Sequence, residues 1–445
     1  MKILHLSPHV GGGVGTVVSN YIRYANEHTS QKHTLICLDR LQSASRYFLN
    51  EAKVEYLDNA LNDQELICDK VQAADVVILH WWNHPLTGKF LCQLSQLPAH
   101  RLIMWCHISG LHEPNVIPNR AVEIADLFVF TSPLSYGCKN LKTLSQEAKT
   151  KLTWIWSTRG FEYIEIEQNK VNDSDITHLI YVGNLDFAKV SSSFFHIAEQ
   201  ILSDRVHLDI IGPTNSIFDD CLSKSSARKF ISNHGFISED EKHRLLQRAS
   251  IFFYPLNSNH YGTCDQTIQE AMMHGVVPVT FSNPMERYMV DHLVNGLIAD
   301  GKEVFIENLK ILLSNNDTLS ALSTNARRSA LNIYSLKSLA SEWSCVFAKI
   351  INMPKILKKE DLLAPSENLG YELFKLTVPG LEKELSKSIK YLNSSVRIGA
   401  DAFPLLALAF EQDLQNSQSK SSIRQFIQYF PKDKLLRYIA DAFAV

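Results

Sequence analysis

The stretch "GTCDQTIQEAMMHG", Gly262 to Gly275, sets residue types suited to an anion beside one suited to hydroxyl groups. Thr263, Cys264, Asp265 and Gln266 stand where a helix opens, Glu270 follows one turn on, and a glycine closes the run. Exposed amides and the positive end of the helix dipole favour an anion at such an opening. An ionised carboxylate one turn later accepts hydrogen bonds from vicinal hydroxyls. Upstream, "YVGNLDFAK" ends an apolar run and delivers Lys189 where a bound phosphate can be met, and "IIGPTN" carries Gly212 after the next run. "HGFISEDEKHRLL" has a glycine turn, then Ser238 and Glu241 at capping-box spacing.

The first half has its own candidates. In "SPHVGGGVGTVVSNY", Gly12, Gly13 and Gly15, with Gly11, let backbone amides approach a ligand, and a helix expected from about Thr16 turns its positive end toward them. A dinucleotide fingerprint fits in part: Gly11 and Gly13 are correctly spaced, the third position is Thr16, and Asp39 stands where a ribose-binding acid belongs. A tight strand–helix connection is the alternative. "MWCHISGLHEPNVIP" puts His107 at a strand's carboxyl end, either as a site residue or as a hydrogen-bonded structural histidine. "HWWNHP" puts Trp81, Trp82, Asn83 and His84 at another strand end. An indole face suits a sugar ring and Asn83 its hydroxyls, with core packing as the alternative. His80 with His84, and His107 with His112, lack a third ligand at convincing spacing, so no metal is expected.

These residues need a scaffold, and the composition allows a large one. The 445 residues include 45% hydrophobic and 20% charged side chains, the balance of a globular protein of two or three domains. A net charge of −3, from 47 acidic and 44 basic residues, supplies no global field for nucleic acid or anionic lipid. No apolar window is long enough to cross a membrane, which leaves peripheral membrane contact open, and the start "MKILHLSPHVGGG" is too short an apolar run for a signal peptide. Eight scattered cysteines without a C-x-x-C pair read as free thiols in a reducing cytoplasm.

Short apolar runs alternate with helical segments twice over. The first series is "KILHLS", "HTLICLD", "VEYL", "ADVVILHWW", "RLIMWCHI", "LFVFTS" and "LTWIWST". A polar break near 165–177 precedes the second: "HLIYVGN", "HLDIIGP", "KFISNHG", "SIFFYPL", "GVVPVTF" and "GLIA". This pattern predicts an α/β protein with two Rossmann-like, doubly wound parallel sheets, over 1–165 and 166–350, whose ligands bind outside the carboxyl ends of the strands in the cleft between domains. From 351 to 445 the sequence is apolar only at helical spacing, as in "DAFPLLALAFEQDL", and predicts a helical extension packed on the body.

The ordered second-half series, with "EAMMHGVVPV" intact, resembles the retaining glycosyltransferases of the GT-B fold, family 4; the resemblance covers roughly residues 1–345 and is strongest over 178–300. It implies transfer of a sugar from a nucleotide-sugar donor on the second domain to a carbohydrate or glycan hydroxyl on the first, with retention of configuration and without cofactor or metal. It assigns Glu270 to the ribose hydroxyls, Lys189 to the diphosphate, Phe236 and Ile237 to the nucleobase and His107 to the donor sugar. The sequence departs from the family at two places. Gly262 replaces the glutamate eight positions before Glu270, which Asp265 can partly stand in for, and Asn184 replaces an arginine, for which Arg159 is one substitute. The resemblance further implies front-face displacement in cytoplasmic glycan or polysaccharide assembly. Two other readings stay open: a degenerate GT-B module that binds without turnover, and a nicotinamide-dependent oxidoreductase built on the first glycine turn and Asp39.

Overall fold

The computed structural model describes residues 1–164, 176–258, 260, 262–390 and 422–443. The expected linker at 165–177 lies almost wholly outside these residues, and the apolar stretch 401–414 wholly so. Two compact units are present: Met1–Ile155 together with Ala340–Val445, and Trp156–Leu339.

Each of the apolar runs contains one strand. In the first unit β1 (Lys2–Ser7), β2 (Lys32–Cys37), β3 (Tyr56–Leu57), β4 (Val76–Trp81), β5 (Leu102–Cys106), β6 (Leu127–Phe130) and β7 (Leu152–Trp154) form one sheet in the order β3-β2-β1-β4-β5-β6-β7. All its pairings are parallel. Every residue of β4 is buried, as expected of a strand covered on both faces. In the second unit β8 (Thr177–Val182), β9 (Val206–Ile211), β10 (Ile231–Gly235), β11 (Ile251–Tyr254), β12 (Val277–Phe281) and β13 (Leu297–Ala299) are ordered β10-β9-β8-β11-β12-β13, again parallel. Both orders reverse direction between their first and fourth strands, and in such sheets ligands bind at the carboxyl ends beside that reversal.

The helix after β1 begins at Gly12, not near Thr16 as expected. Gly12 and Gly13 therefore lie in its first turn, and Gly15 is needed for packing, since a Cβ there would stand 2.5 Å from the Val10 carbonyl carbon.

From Ala340 the chain belongs to the first unit. Trp343 stacks on Tyr21 and meets Trp105 edge-on. Arg101 donates to the carbonyls of Met353 and Ile351, and Lys358 pairs with Asp126 at 2.7 Å. Helices Leu369–Thr377, Ile423–Tyr429 and Lys434–Phe443 then bury Leu373, Phe374, Phe426, Leu436 and Ile439 in the core that holds Trp81 and Trp82. Among the described residues no helix is long and apolar enough to cross a membrane.

Candidate functional site

The second sheet's reversal point lies between β8 and β11, and two bare backbone turns stand there. Gly183, directly after β8, has φ +144°, and Gly212, after β9, has φ +134°, both in the region that favours glycine. A Cβ on Gly212 would stand 2.0 Å from the Gly183 carbonyl oxygen, so these turns touch only because residue 212 is glycine. A Cβ on Gly183 would in turn stand 2.8 Å from Nζ of Lys189. The Lys189 amide is fixed by donation to Asp186, and its ammonium lies 5.7 Å from the Tyr254 ring centroid at the end of β11. The Tyr254 hydroxyl accepts from the Thr267 hydroxyl at 3.1 Å, in the first turn of the helix Gln266–Met273. Lys189, Gly183, Gly212 and the opening of that helix thus gather at adjacent strand ends.

The helix opening is built around a missing side chain. A Cβ on Gly262 would meet Asp265 Oδ1 at 2.6 Å and the His260 ring at 2.7 Å, so Asp265 and His260 fill the space a larger residue would need. Asp265 is only 8% exposed, and its Oδ2 is buried with no hydrogen-bond partner among the described residues, an arrangement that suits a polar ligand. His260 Nδ1 accepts from the Gly262 amide, and its Nε2 lies 3.0 Å from the fully buried Glu286 carboxylate. Burial opposes the His260 charge and the Lys189 ammonium adds to that, yet the Glu286 hydrogen bond and charge outweigh both and hold its pKa above the ordinary value. Among the described residues His260, Asp265 and Glu286 form the only trio of potential metal ligands, with ligand atoms within 4.8 Å of one another. Thr263 and Gln266 are half-buried. The Cys264 side chain turns inward: its thiol donates to the Ser157 carbonyl at 3.1 Å, and burial pushes its pKa far up.

Glu270 sits one turn into the helix and is 2% exposed. Its Oε1 accepts from Arg159 Nη1 at 2.5 Å and from Lys242 Nζ at 2.9 Å, while Arg159 Nη2 and Lys242 also reach Glu239 at 2.7 and 3.0 Å. Two cations and two carboxylates form a neutral network. Arg159 is therefore committed to carboxylates, and its guanidinium steadies Glu270.

Phe236 follows Gly235 at the end of β10 and is 83% exposed, so ordinary strand-end packing does not describe it; Ile237 beside it is half-buried. Asn184 accepts the Tyr181 hydroxyl on its carbonyl at 2.8 Å.

The first-unit candidates divide. His107, immediately after β5, is buried, with Nε2 3.0 Å from His80 Nδ1. Gly12 and Gly13 are exposed on the first helical turn. Trp82 and Asn83, given both a sugar-binding and a core-packing reading, are buried. Trp82 belongs to the core covered by the C-terminal helices, and Asn83 Nδ2 is spent on the carbonyls of Pro114 and Val116. Asp39, the acid of the dinucleotide reading, accepts the Tyr429 hydroxyl at 2.6 Å.

Lys242, Glu239, His260, Glu286 and Gly183 escape a reading by motif. One signal exists for Lys242: it sits four residues before the buried Leu246 on one helix face, an apolar position given to a lysine. The His260–Glu286 contact joins a loop to the start of the short helix Glu286–Met289 and has no local signature.

The sequence model of the family "Glycosyl transferases group 1" matches residues 163–329. No curated protein sequence matches the chain. Among solved structures, Anabaena HepE in complex with UDP and glucose superposes with a TM-score of 0.63 at 11% identity, over 78% of this chain and 100% of that one. The lipopolysaccharide outer core galactosyltransferase WaaB gives 0.60 at 16%, over 78% and 100%. A glycosyltransferase from Rickettsia africae gives 0.61 at 13%, over 79% and 99%. At these identities the likeness is one of fold. Residues 163–329 thus match the glycosyl transferases group 1 model, in a chain whose two-sheet α/β fold is that of the GT-B structures it superposes on.

Proposed function

We propose that the chain transfers a hexose from a nucleotide-sugar to a glycan or other hydroxyl acceptor, with retention of configuration. The observation that carries the reading is Lys189, whose ammonium is held over Tyr254 and against Gly183 beside the opening of the helix that bears Glu270. An ammonium at about 4 Å from a phosphate oxygen contributes roughly 4 kcal/mol at an effective dielectric near 20. The amides at Thr263, Cys264, Asp265 and Gln266 add to it, and the glycine at 212 lets the Gly183 turn close up beside Lys189. Glu270, steadied by Arg159 and Lys242, takes the ribose hydroxyls. Phe236 and Ile237 take the base, and Asp265 with its unpartnered oxygen takes a sugar hydroxyl in place of the glutamate absent at 262.

In the reaction the bond from the anomeric carbon to the phosphate oxygen breaks, and the acceptor oxygen bonds to that carbon on the same face. The acceptor's proton passes to the departing phosphate, and Lys189 neutralises the growing charge. His107 of the first unit positions the sugar. The 1–165, 166–350 and 351–445 segments serve acceptor, donor and packing roles. His260 and Glu286 share a proton, and the trio they form with Asp265 holds no cation, because His260 Nε2 is committed to Glu286 and Lys189 adds positive charge nearby. The cytoplasm, where nucleotide-sugars are made, is the proposed location, and glycan assembly the proposed process.

Incubation with UDP-, GDP- and ADP-sugars in the presence of a chelator tests this. HepE was solved with UDP, so uridine donors come first. One donor is expected to be consumed, with or without chelator, and to give a product of unchanged anomeric configuration. Binding without consumption supports the binding-module reading; an inverted product contradicts the mechanism.

A further inference from the structure

The first sheet buries a continuous row of four histidines. His33 Nδ1 lies 2.8 Å from His5 Nε2, His5 Nδ1 2.9 Å from His80 Nε2, and His80 Nδ1 3.0 Å from His107 Nε2. The rings are stacked, with centroids 5.1, 5.2 and 5.2 Å apart. The register explains the row. His33 on β2 pairs with Ile3, and His5 lies two residues further along β1; His5 pairs with Ile78, and His80 lies two further along β4; His80 pairs with Trp105, and His107 lies two further on. A shift of two keeps every ring on one face of the sheet, and diagonal neighbours on a sheet are within reach of aromatic side chains. The row therefore climbs from the start of β2 to the end of β5. Tyr21, Trp105, Trp343 and Phe347 pack around it and exclude water.

Burial holds His5, His33 and His80 well below the ordinary imidazole range, so these rings are neutral. A neutral imidazole has one N–H and one bare nitrogen. Three successive nitrogen-to-nitrogen bonds then allow only two arrangements, with every proton on Nε2 or every proton on Nδ1. The outer end selects between them. His33 Nε2 faces the side-chain oxygen of Gln31 at 3.0 Å, which makes His33 the donor there. Each following ring must then donate through Nε2 and accept through Nδ1. His107 ends with its proton on Nε2, given to His80, and with Nδ1 as its acceptor.

We infer that this row sets, from Gln31, which nitrogen of His107 carries the proton, with His33, His5 and His80 as positioning residues. The inference rests on the role proposed for His107 only in its consequence for the reaction: an acceptor nitrogen can receive a sugar hydroxyl, and a protonated one cannot. Reversing the donor sense at Gln31 reverses the acceptor sense at His107, three rings away.

Nitrogen-15 NMR of the full chain with labelled histidine reads each ring's tautomer. All four rings are expected neutral with the proton on Nε2, in the wild type and in Gln31→Glu, an obligate acceptor. Gln31→Lys, an obligate donor, is expected to move all four protons to Nδ1. Mixed tautomers in the wild type, or a His107 tautomer that ignores Gln31→Lys while His33 responds, would overturn the inference. Turnover separates it from the functional proposal. Tenfold or greater loss of kcat in Gln31→Lys, at unchanged donor KM, supports the coupling; switched tautomers with kcat unchanged leave the row intact and remove His107 from the reaction.

Discussion

The two sheets bury titratable groups in opposite ways. In the first, His5, His33 and His80 line up with one another and with His107, and the burial of the first three is met by neutrality. In the second, three buried carboxylates face opposite charges, and among the buried carboxylates of the described residues only Asp265 keeps one oxygen without a partner. Glu270 faces Arg159 and Lys242, Glu286 faces His260, and Asp209 faces His178, His234 and Arg248. Desolvation penalises an unpaired ion by several kcal/mol, so each sheet must discharge or pair what it hides. The paired sheet is the one proposed above to hold the donor, where charge must remain available to a phosphate. The neutral sheet can only orient protons.

Acid separates the two most strongly. The folded pKa values of His5, His33 and His80 lie below the unfolded value of about 6.5, with burial the first cause and His33 brought to about 3. Below pH 6.5 the unfolded chain takes up protons that the folded first unit refuses. Stability present above that pH is therefore lost as pH falls toward 3, at about 1.4 kcal/mol per pH unit for each ring. Asp209 behaves otherwise. Burial alone would raise its pKa, but hydrogen bonds from His178 and His234 and the Arg248 charge bring it to about 2, so its contribution persists until pH falls below about 4. Hydrogen exchange followed from pH 7 to 4 is expected to show the first unit opening well before the second. Tryptophan fluorescence should follow the first unit, which holds Trp81, Trp82, Trp105, Trp154 and Trp343. Simultaneous opening would break the comparison.

Single substitutions sharpen it. Glu270→Met leaves Arg159 and Lys242 with only Glu239 to share between them over a buried site and is expected to cost about 3–5 kcal/mol of stability. His5→Phe leaves only neutral ring nitrogens unmatched and should cost about 1–3 kcal/mol. Urea titrations of both variants measure the difference, and an equal or inverted cost would contradict the division between paired and neutral burial.

How much of this is legible in the sequence follows from the range of each interaction. The strands are legible because a strand buried on both faces needs an unbroken apolar run, as "VVILHW" shows. The constellation proposed for the donor is readable in the sequence only where its residues lie within one motif, as Glu270 and the opening at Thr263–Gln266 do. The histidine row is not, because it depends on a two-residue offset between four strands that no local pattern records. The burial of Trp82 and Asn83 is hidden for a similar reason: the helices that cover them come from residues 369 to 443. Gly262 is legible as a departure from the family, but its cause is visible only in three dimensions, where Asp265 and His260 occupy the space.

A smaller effect is expected at Phe236. At 83% exposure it contributes little to folding, so Phe236→Ala should leave Tm unchanged. Stacking of a base on an aromatic ring contributes roughly 1–3 kcal/mol, so the same variant should weaken nucleotide binding by about ten- to a hundredfold. Unchanged binding would move the base elsewhere.

The most direct test of the central claim is calorimetric titration of the wild type and Lys189→Met with UDP, GDP and ADP. One nucleotide is expected to bind the wild type, and Lys189→Met should weaken it by at least tenfold without lowering Tm, since one charge-assisted hydrogen bond contributes roughly 1.5–3 kcal/mol. Equal affinity in the two proteins, or no binding by the wild type, would contradict the assignment of the second sheet's reversal point to a nucleotide diphosphate.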